Sequence, residues 1–169
     1  MTDDAEQEYV EYVTARMPGL RRLAYLLCGD RHRADDLVQQ VLTTLYVRWR
    51  RARTVEHLDA YVRRMLLRAF LNERRRAWWQ RVSLTDAVPD RAVTAADPDD
   101  RTVLRAALVR VPHRQRAVLV LRFIYDLPVD EVATLLGCSP GTVKSQTAHG
   151  LATLRRVLGE RALAAWAHQ

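Results

Sequence analysis

The 169-residue chain predicts an all-α fold, with two small helical domains joined by a flexible acidic linker and a helix-turn-helix in the C-terminal domain. Three observations predict it. Apolar residues recur at steps of three and four along most of the chain, the period of an amphipathic helix, and no stretch alternates over a strand length. Residues 83–100 (SLTDAVPDRAVTAADPDD) break that pattern with two prolines and five aspartates, the composition of a linker. Residues 127–156 (LPVDEVATLLGCSPGTVKSQTAHGLATLRR) read as helix, tight turn, helix. The expected organisation is a domain over 1–82, a linker over 83–100 and a domain over 101–169. Each domain is small enough that its core is marginal alone.

The first helix is expected over Ala5 to Arg16, with Tyr9, Tyr12 and Val13 inward, ended by Pro18 and Gly19. A second covers Leu20 to Leu27 through Leu23, Ala24, Leu26 and Leu27. Gly29 closes it and Asp30 caps the next. The third, Arg31 to Trp49, is the most regular: Ala34, Leu37, Val38, Val41, Leu42, Leu45 and Tyr46 make its apolar stripe. A fourth runs from about His57 to Trp79, with Leu58, Tyr61, Val62, Met65, Leu66 and Ala69 inward. After the linker, periodicity resumes at Val103, Pro112 resets the chain, and a helix follows from about His113 to Ile124. In the helix-turn-helix, Val129, Val132, Ala133 and Leu136 form the first inward face. Gly137 supplies the left-handed residue that ends that helix. Ser139 is the N-cap and Pro140 the first residue of the second helix. Val143, Leu151 and Leu154 point inward from it. The tail, 160–169, could continue helically.

The formal charge of +7 and an isoelectric point near 10.1 favour a polyanionic partner. Of 27 basic residues only Lys144 is lysine; arginine suits bidentate phosphate and guanine contacts, although coding bias gives the same ratio. Cys28 and Cys138 belong to no paired motif and are expected as buried small residues. The acidic N-terminus is unlike a signal peptide, and no run approaches a membrane span. A soluble, cytoplasmic protein without a membrane partner is expected. P-loop, dinucleotide-binding, serine-hydrolase and zinc-protease motifs are absent. No catalytic residue, metal site or cofactor is expected, and the chain is not read as an enzyme.

Three constellations remain. The second helix of the helix-turn-helix carries Ser139, Gly141, Thr142, Lys144, Ser145 and Gln146 in its first turns. Small and polar groups there suit the N-terminal end of a recognition helix in a major groove; a core hairpin would share the caps but not that surface. Arg64, Arg68 and Arg75 lie near one face of the fourth helix, and Arg74, Arg75 and Arg76 precede Trp78 and Trp79. Arginines with aromatics suit a strand whose bases are unpaired, and equally a solvated helix end. Asp35, Asp36, Gln39 and Gln40, with Thr43, form the polar side of the third helix. They could dock a basic helix or simply face water.

Taken together, RADDLVQQVLTTLYVRW, and LPVDEVATLLGCSPGTVKSQ preceded by VPHRQRAVLVLRF, resemble the extracytoplasmic-function (ECF) family of bacterial sigma factors. The resemblance spans nearly the whole chain, in the order and spacing of the minimal two-domain group. It implies a promoter-specificity factor whose partners are core RNA polymerase, at its clamp and flap, and promoter DNA, with an anti-sigma factor a further partner of many relatives. Asp35, Asp36, Gln39, Gln40 and Thr43 would meet the clamp. Arg64, Arg68, Asn72, Arg74, Arg75 and Arg76 would meet the −10 element and hold an unpaired base; Trp78 and Trp79 are a physical guess at the same wedge. The linker would thread toward the RNA exit path. Arg114, Arg116 and Arg122 would lie near DNA phosphates or the flap. Ser139, Thr142, Lys144, Ser145, Gln146 and His149 would read or clamp the −35 groove, with Arg155 and Arg156 on flanking phosphate.

The chain departs from the family pattern at Gln146 and His149, where arginines are common, and near Ala69, where a polar residue is common. Gln146 favours adenine where arginine favours guanine. Gly150 inside the recognition helix costs about 1 kcal/mol against alanine. Two other readings stay open: an autonomous helix-turn-helix regulator binding operators as a dimer, against which the lack of a heptad seam argues, and an adaptor that docks polymerase without reading DNA.

Overall fold

The computed structural model describes residues 3–82 and 100–159, and side chains over 4–72 and 103–159. Among the described residues there are helices and no strand: α1 (Asp3–Cys28), α2 (Arg31–Ala52), α3 (Leu58–Val82), α4 (Asp100–Val109), α5 (His113–Leu119) with a π-helical turn Val120–Ile124, α6 (Val129–Leu136) and α7 (Pro140–Leu158). The chain divides within α3 into two compact units, Met1–Phe70 and Leu71–Gln169. Apart from Asp100, the expected linker lies outside the described residues, as does the tail beyond Gly159.

In the first unit the two expected N-terminal helices are one. α1 runs through Pro18 without a break. An interior proline costs about 3 kcal/mol. Leu20, Leu23 and Leu27 after it and Ala5 before it are all buried, and full burial of a leucine contributes about 1.5–3 kcal/mol. Both halves face the same neighbour, so a continuous helix wins. α2 returns antiparallel along α1: Arg21 meets Asp35 near one end, and Arg53 meets Glu8 at the other. Asp30 caps α2, its carboxylate accepting from the Arg33 amide at 2.9 Å. The buried face of α2 is Ala34, Leu37, Val38, Val41, Leu42, Leu45, Trp49 and Ala52. Tyr46, expected inward, is 41% exposed, its ring edge-on to Tyr9 at 5.1 Å. α3 closes the core with Val62, Leu66, Leu67 and Phe70. Its first turn is tied to α1 through Asp59, which accepts from Tyr12 Oη and Arg16 Nε.

In the second unit α7 packs against α4, α5 and α6. Gly137 ends α6 at φ 65°, ψ 43°. The Cys138 amide donates to the Ala133 carbonyl and the Gly137 amide to that of Thr134, a Schellman closure that places the tight turn. Ser139 caps α7 as expected, accepting from the Thr142 amide at 3.1 Å. α6 buries Val132, Ala133 and Leu135; Val129 and Leu136, expected inward, are half-buried. α7 buries Val143, Gly150 and Leu154, while Leu151 is half-buried. Cys28 is buried as expected; Cys138, in the turn, is only half-buried.

Candidate nucleic-acid interface

The outward surface of α7 follows from its packing. With Val143, Gly150 and Leu154 inward, Gly141, Lys144, Ser145, Ala148, His149, Ala152, Arg155 and Arg156 are exposed. They recur at the three- and four-residue steps of one helix face. Polar groups therefore line its first turns and arginines its last. Ser139 and Thr142 are partly engaged with each other: their hydroxyls lie 2.9 Å apart within the cap. Ser145 Oγ donates to the Thr142 carbonyl. Lys144 extends from the face as an exposed ammonium. Gln146 is half-buried at the rim. Ala148 and Ala152 were absent from the sequence expectation. Their small side chains let the helix approach a flat partner closely, and a methyl group there can meet a thymine methyl.

In the first unit, α2 spreads its five candidate residues over a wide arc, all of them exposed. Asp36 and Thr43 stand seven residues apart, about two turns, on one line. Asp35 lies toward α1, its Oδ1 3.3 Å from Arg21 Nε. Gln40 lies toward α3, beside a half-open pocket. Gln40, Thr44 and Arg48 supply one wall of that pocket and Tyr61, Arg64, Met65 and Arg68 the other, with Val41 and Ala69 between. Its volume is about 210 Å³, below the roughly 300 Å³ at which ordinary small-molecule pockets begin. A single planar base or a phosphate is nearer its scale.

Arg64 is the unusual group in that pocket. Its Nε is buried with no hydrogen-bond partner among the described residues. A buried donor without a partner costs about 1–3 kcal/mol. Arg68, one turn on, is exposed. Three arginines, Arg48, Arg64 and Arg68, thus line a space that Gln40, Thr44 and Tyr61 also border. Thr44 and Arg48 were not singled out in the sequence, and Tyr61, expected inward with the core stripe of α3, is half-buried on the pocket wall. The signal was present: Gln40, Thr44 and Arg48 follow at four-residue steps on α2, as Tyr61, Arg64 and Arg68 follow at three and four on α3. What was lacking was knowledge that these two edges meet.

Asn72 is exposed farther along α3. The side chains of Arg74, Arg75, Arg76, Trp78 and Trp79 lie outside the described residues, although their backbone continues α3. The expectation for Arg116 is overturned. It is 3% exposed, and its guanidinium donates to the carbonyls of Val109 and Val111. The end of α4 leaves carbonyls that need donors, and Arg116 supplies them from the next helix. Arg122 is half-buried, donates to the Leu127 carbonyl at 2.8 Å and lies 5.9 Å from the Phe123 ring. Only Arg114 of those three is fully exposed.

No group of three His, Cys, Asp or Glu side chains among the described residues is placed to hold a metal ion. No described helix is long and apolar enough to cross a membrane. Burial, then its hydrogen bond to the Asp59 carboxylate, holds the Tyr12 phenol above its usual range. Tyr9 is raised by burial and by Tyr46 beside it. Both belong to the α1 packing surface rather than to either exposed face.

Comparison with known proteins matches two separate family segments along the chain. Residues 12–80 match the family model described as Sigma-70 region 2, and residues 101–154 match Sigma-70, region 4. An RNA polymerase sigma-E factor of Streptomyces avermitilis is 36% identical over 162 residues, covering 92% of this chain and 88% of the relative. That of Streptomyces coelicolor is 36% identical, covering 92% and 89%. An ECF RNA polymerase sigma factor, EcfG of Rhodopseudomonas palustris, is 29% identical over 152 residues, covering 86% and 82%. Among solved structures, the sigma factor RpoE of Bartonella quintana, in complex with the anti-sigma factor NepR, superposes with a TM-score of 0.71 at 20% identity. It covers 91% of this chain and 98% of its own, a likeness of fold.

Proposed function

The chain belongs to the extracytoplasmic-function group of RNA polymerase sigma factors, and from that premise we propose that it binds core RNA polymerase and directs promoter-specific initiation. Residues 1–82 engage the polymerase clamp and the melted −10 element. Residues 83–100 act as the linker, and 101–169 read the −35 element. The chain itself does no covalent chemistry; it acts in the cytoplasm, where polymerase and DNA are.

The observation that carries this reading is the pocket between α2 and α3. Arg48, Arg64 and Arg68 line it together with Gln40, Thr44 and Tyr61. Duplex DNA keeps its bases stacked inside; a pocket of this kind favours a strand already opened. Holding an unpaired base lowers the free energy of melted DNA relative to closed DNA, which is how a non-enzymatic subunit promotes initiation. Arg64 and Arg68 provide the charge, and Asn72, Arg74, Arg75 and Arg76 are the further candidates for the same element. The α7 face supplies the second element: Lys144, Arg155 and Arg156 neutralise phosphate while Ser145, Gln146 and His149 meet base edges. Thr142 and Ser139 hold the cap that aims them. Asp35, Asp36, Gln39, Gln40 and Thr43 form the polymerase-facing side of α2. An anti-sigma partner, as in the Bartonella complex, would regulate access to these surfaces. Membership in a polymerase-subunit family weighs against the autonomous regulator.

The test is run-off transcription on a genomic-fragment library with purified core polymerase, with and without the protein, followed by sequencing of 5′ ends. New discrete starts sharing two short upstream elements are expected. Binding to core without new starts would reduce the protein to an adaptor. DNA binding without core binding would make it an autonomous regulator.

A further inference from the structure

α7 is seated in its unit through three buried positions, Val143, Gly150 and Leu154. The middle one has no side chain, although glycine is among the poorest helix formers. Its surroundings give the reason. A Cβ on Gly150 would lie 2.9 Å from Leu119 Cδ1 and 3.0 Å from Leu119 Cγ. Ordinary contact begins at 3.4 Å, so about 0.5 Å would have to open between α7 and α5. α5 is the fixed partner. Ala117, Val118 and Leu119, with Val120 and Leu121 beyond them, are at most 2% exposed. Arg116 of the same helix is buried and donates to the Val109 and Val111 carbonyls, which ties α5 to the end of α4. α7 is the freer partner, because Lys144, Ser145, Ala148 and His149 on its outward face are exposed. Bulk added at position 150 therefore displaces α7 rather than α5.

We propose that Gly150 is a positioning residue for sequence readout: by seating α7 against Leu119 without a Cβ between them, it sets the height and tilt at which Ser145, Gln146 and His149 meet base edges. The inference rests on the reading of α7 as the −35 helix and adds what fixes its placement. Gln146 lies four residues before Gly150, about 6 Å along the axis, and His149 is its neighbour in the chain. A single helical turn moves as a unit, so a displacement of about 0.5 Å at Gly150 reaches those side chains nearly undiminished. Binding groups leave their productive geometry once displaced by roughly 0.5 Å, and hydrogen bonds to base edges depend on distance and angle. Contacts from Lys144, Arg155 and Arg156 to phosphate act through charge on long flexible side chains and absorb such a shift. The consequence is selective: discrimination among base sequences is lost while general affinity for DNA is kept.

The experiment assembles full-length wild type, G150A, L119A and G150A/L119A with core RNA polymerase. Each is used to select from duplexes randomised over the −35 stretch upstream of a fixed start site, and each protein is melted thermally. G150A is expected to lower the ratio of specific to non-specific affinity about fivefold or more, the loss of one correct base contact, with non-specific affinity within about twofold. L119A empties the space facing Gly150 and is expected to melt lower than G150A yet keep the wild-type preference. G150A/L119A gives the new Cβ that space and is expected to regain the preference without regaining the melting temperature. A purely structural glycine predicts instead that preference falls in the order of melting temperature. That result, or G150A with the wild-type preference, overturns the proposal and leaves the reading of α7 intact. Should G150A alone fail to fold, the double variant decides, since an altered preference there, with Leu119 removed, overturns the proposal. If the wild type enriches no sequence at all, the reading of α7 fails and the positioning role with it.

Discussion

Gly150 of α7 lies directly against Leu119 of α5. A Cβ placed on Gly150 would lie 2.9 Å from Leu119 Cδ1, 3.0 Å from its Cγ and 3.3 Å from Gln115 Cβ. Leu119 is itself only 1% exposed, so it cannot swing aside. The glycine that appears as a weak point of the recognition helix is the residue that lets α7 seat on its support.

This relationship decides the sign of a substitution. Propensity alone says Gly150→Ala stabilises by about 1 kcal/mol. Overpacking a fixed core costs about 1–3 kcal/mol, and here three contacts are too short at once. The expected outcome is net destabilisation of about 1 kcal/mol, read as a fall of several degrees in melting temperature. A rise would mean that Leu119 relaxes more freely than its burial implies.

Lys144 offers a second test. It is exposed on the outward face of α7, and if it neutralises one phosphate, Lys144→Ala should weaken promoter binding across sequences. The slope of log affinity against log salt should become shallower by about one unit. An unchanged slope removes Lys144 from the phosphate contacts.

The pocket makes a separate prediction. Arg64→Gln keeps polarity but loses the charge beside the buried Nε position. Core affinity is expected to stay within about twofold, since Arg64 is not on the outward line of α2. Open-complex formation, followed by permanganate reactivity of unpaired thymines, is expected to fall about tenfold or more, the equivalent of one lost charged hydrogen bond. Full melting activity would exclude Arg64 from the unpaired strand.

Stability should fall in alkali. The Tyr12 phenol is held above the ordinary tyrosine value of about 10, first by burial and then by its hydrogen bond to Asp59. Tyr9 shifts the same way by burial and by Tyr46. A group that releases its proton more readily when unfolded favours the unfolded state as pH rises past that unfolded value. This contribution is therefore fully present below about pH 10 and is lost above it. Tyr12→Phe should flatten the decline of melting temperature between pH 9 and pH 11, taken as roughly one unit either side of that value. An identical decline in both proteins would assign the alkaline loss to other groups.

Much of the molecule was legible because it is locally encoded. The caps at Asp30 and Ser139 and the left-handed Gly137 depend on side chains and dihedrals within a few residues, and each formed as its sequence implies. The buried stripe of α2 was readable for the same reason, since one helix face repeats at a fixed step. Pro18 misled because its local cost was visible and the burial of Leu20, Leu23 and Leu27 against α2 was not. Arg116 misled because charge suggests exposure, whereas the end of α4, a different helix, required its donors.

The sequence by itself determined the helical class, the turn chemistry and the polar and apolar sides of α2 and α7, because these follow from periodicity and capping along a single segment. Only the tertiary structure decided which side chains share a space. The pocket of Gln40, Arg48, Arg64 and Arg68 and the seat of Gly150 on Leu119 both depend on where a second helix lies. Burial and proximity are properties of pairs of segments, and no spacing within one segment contains them.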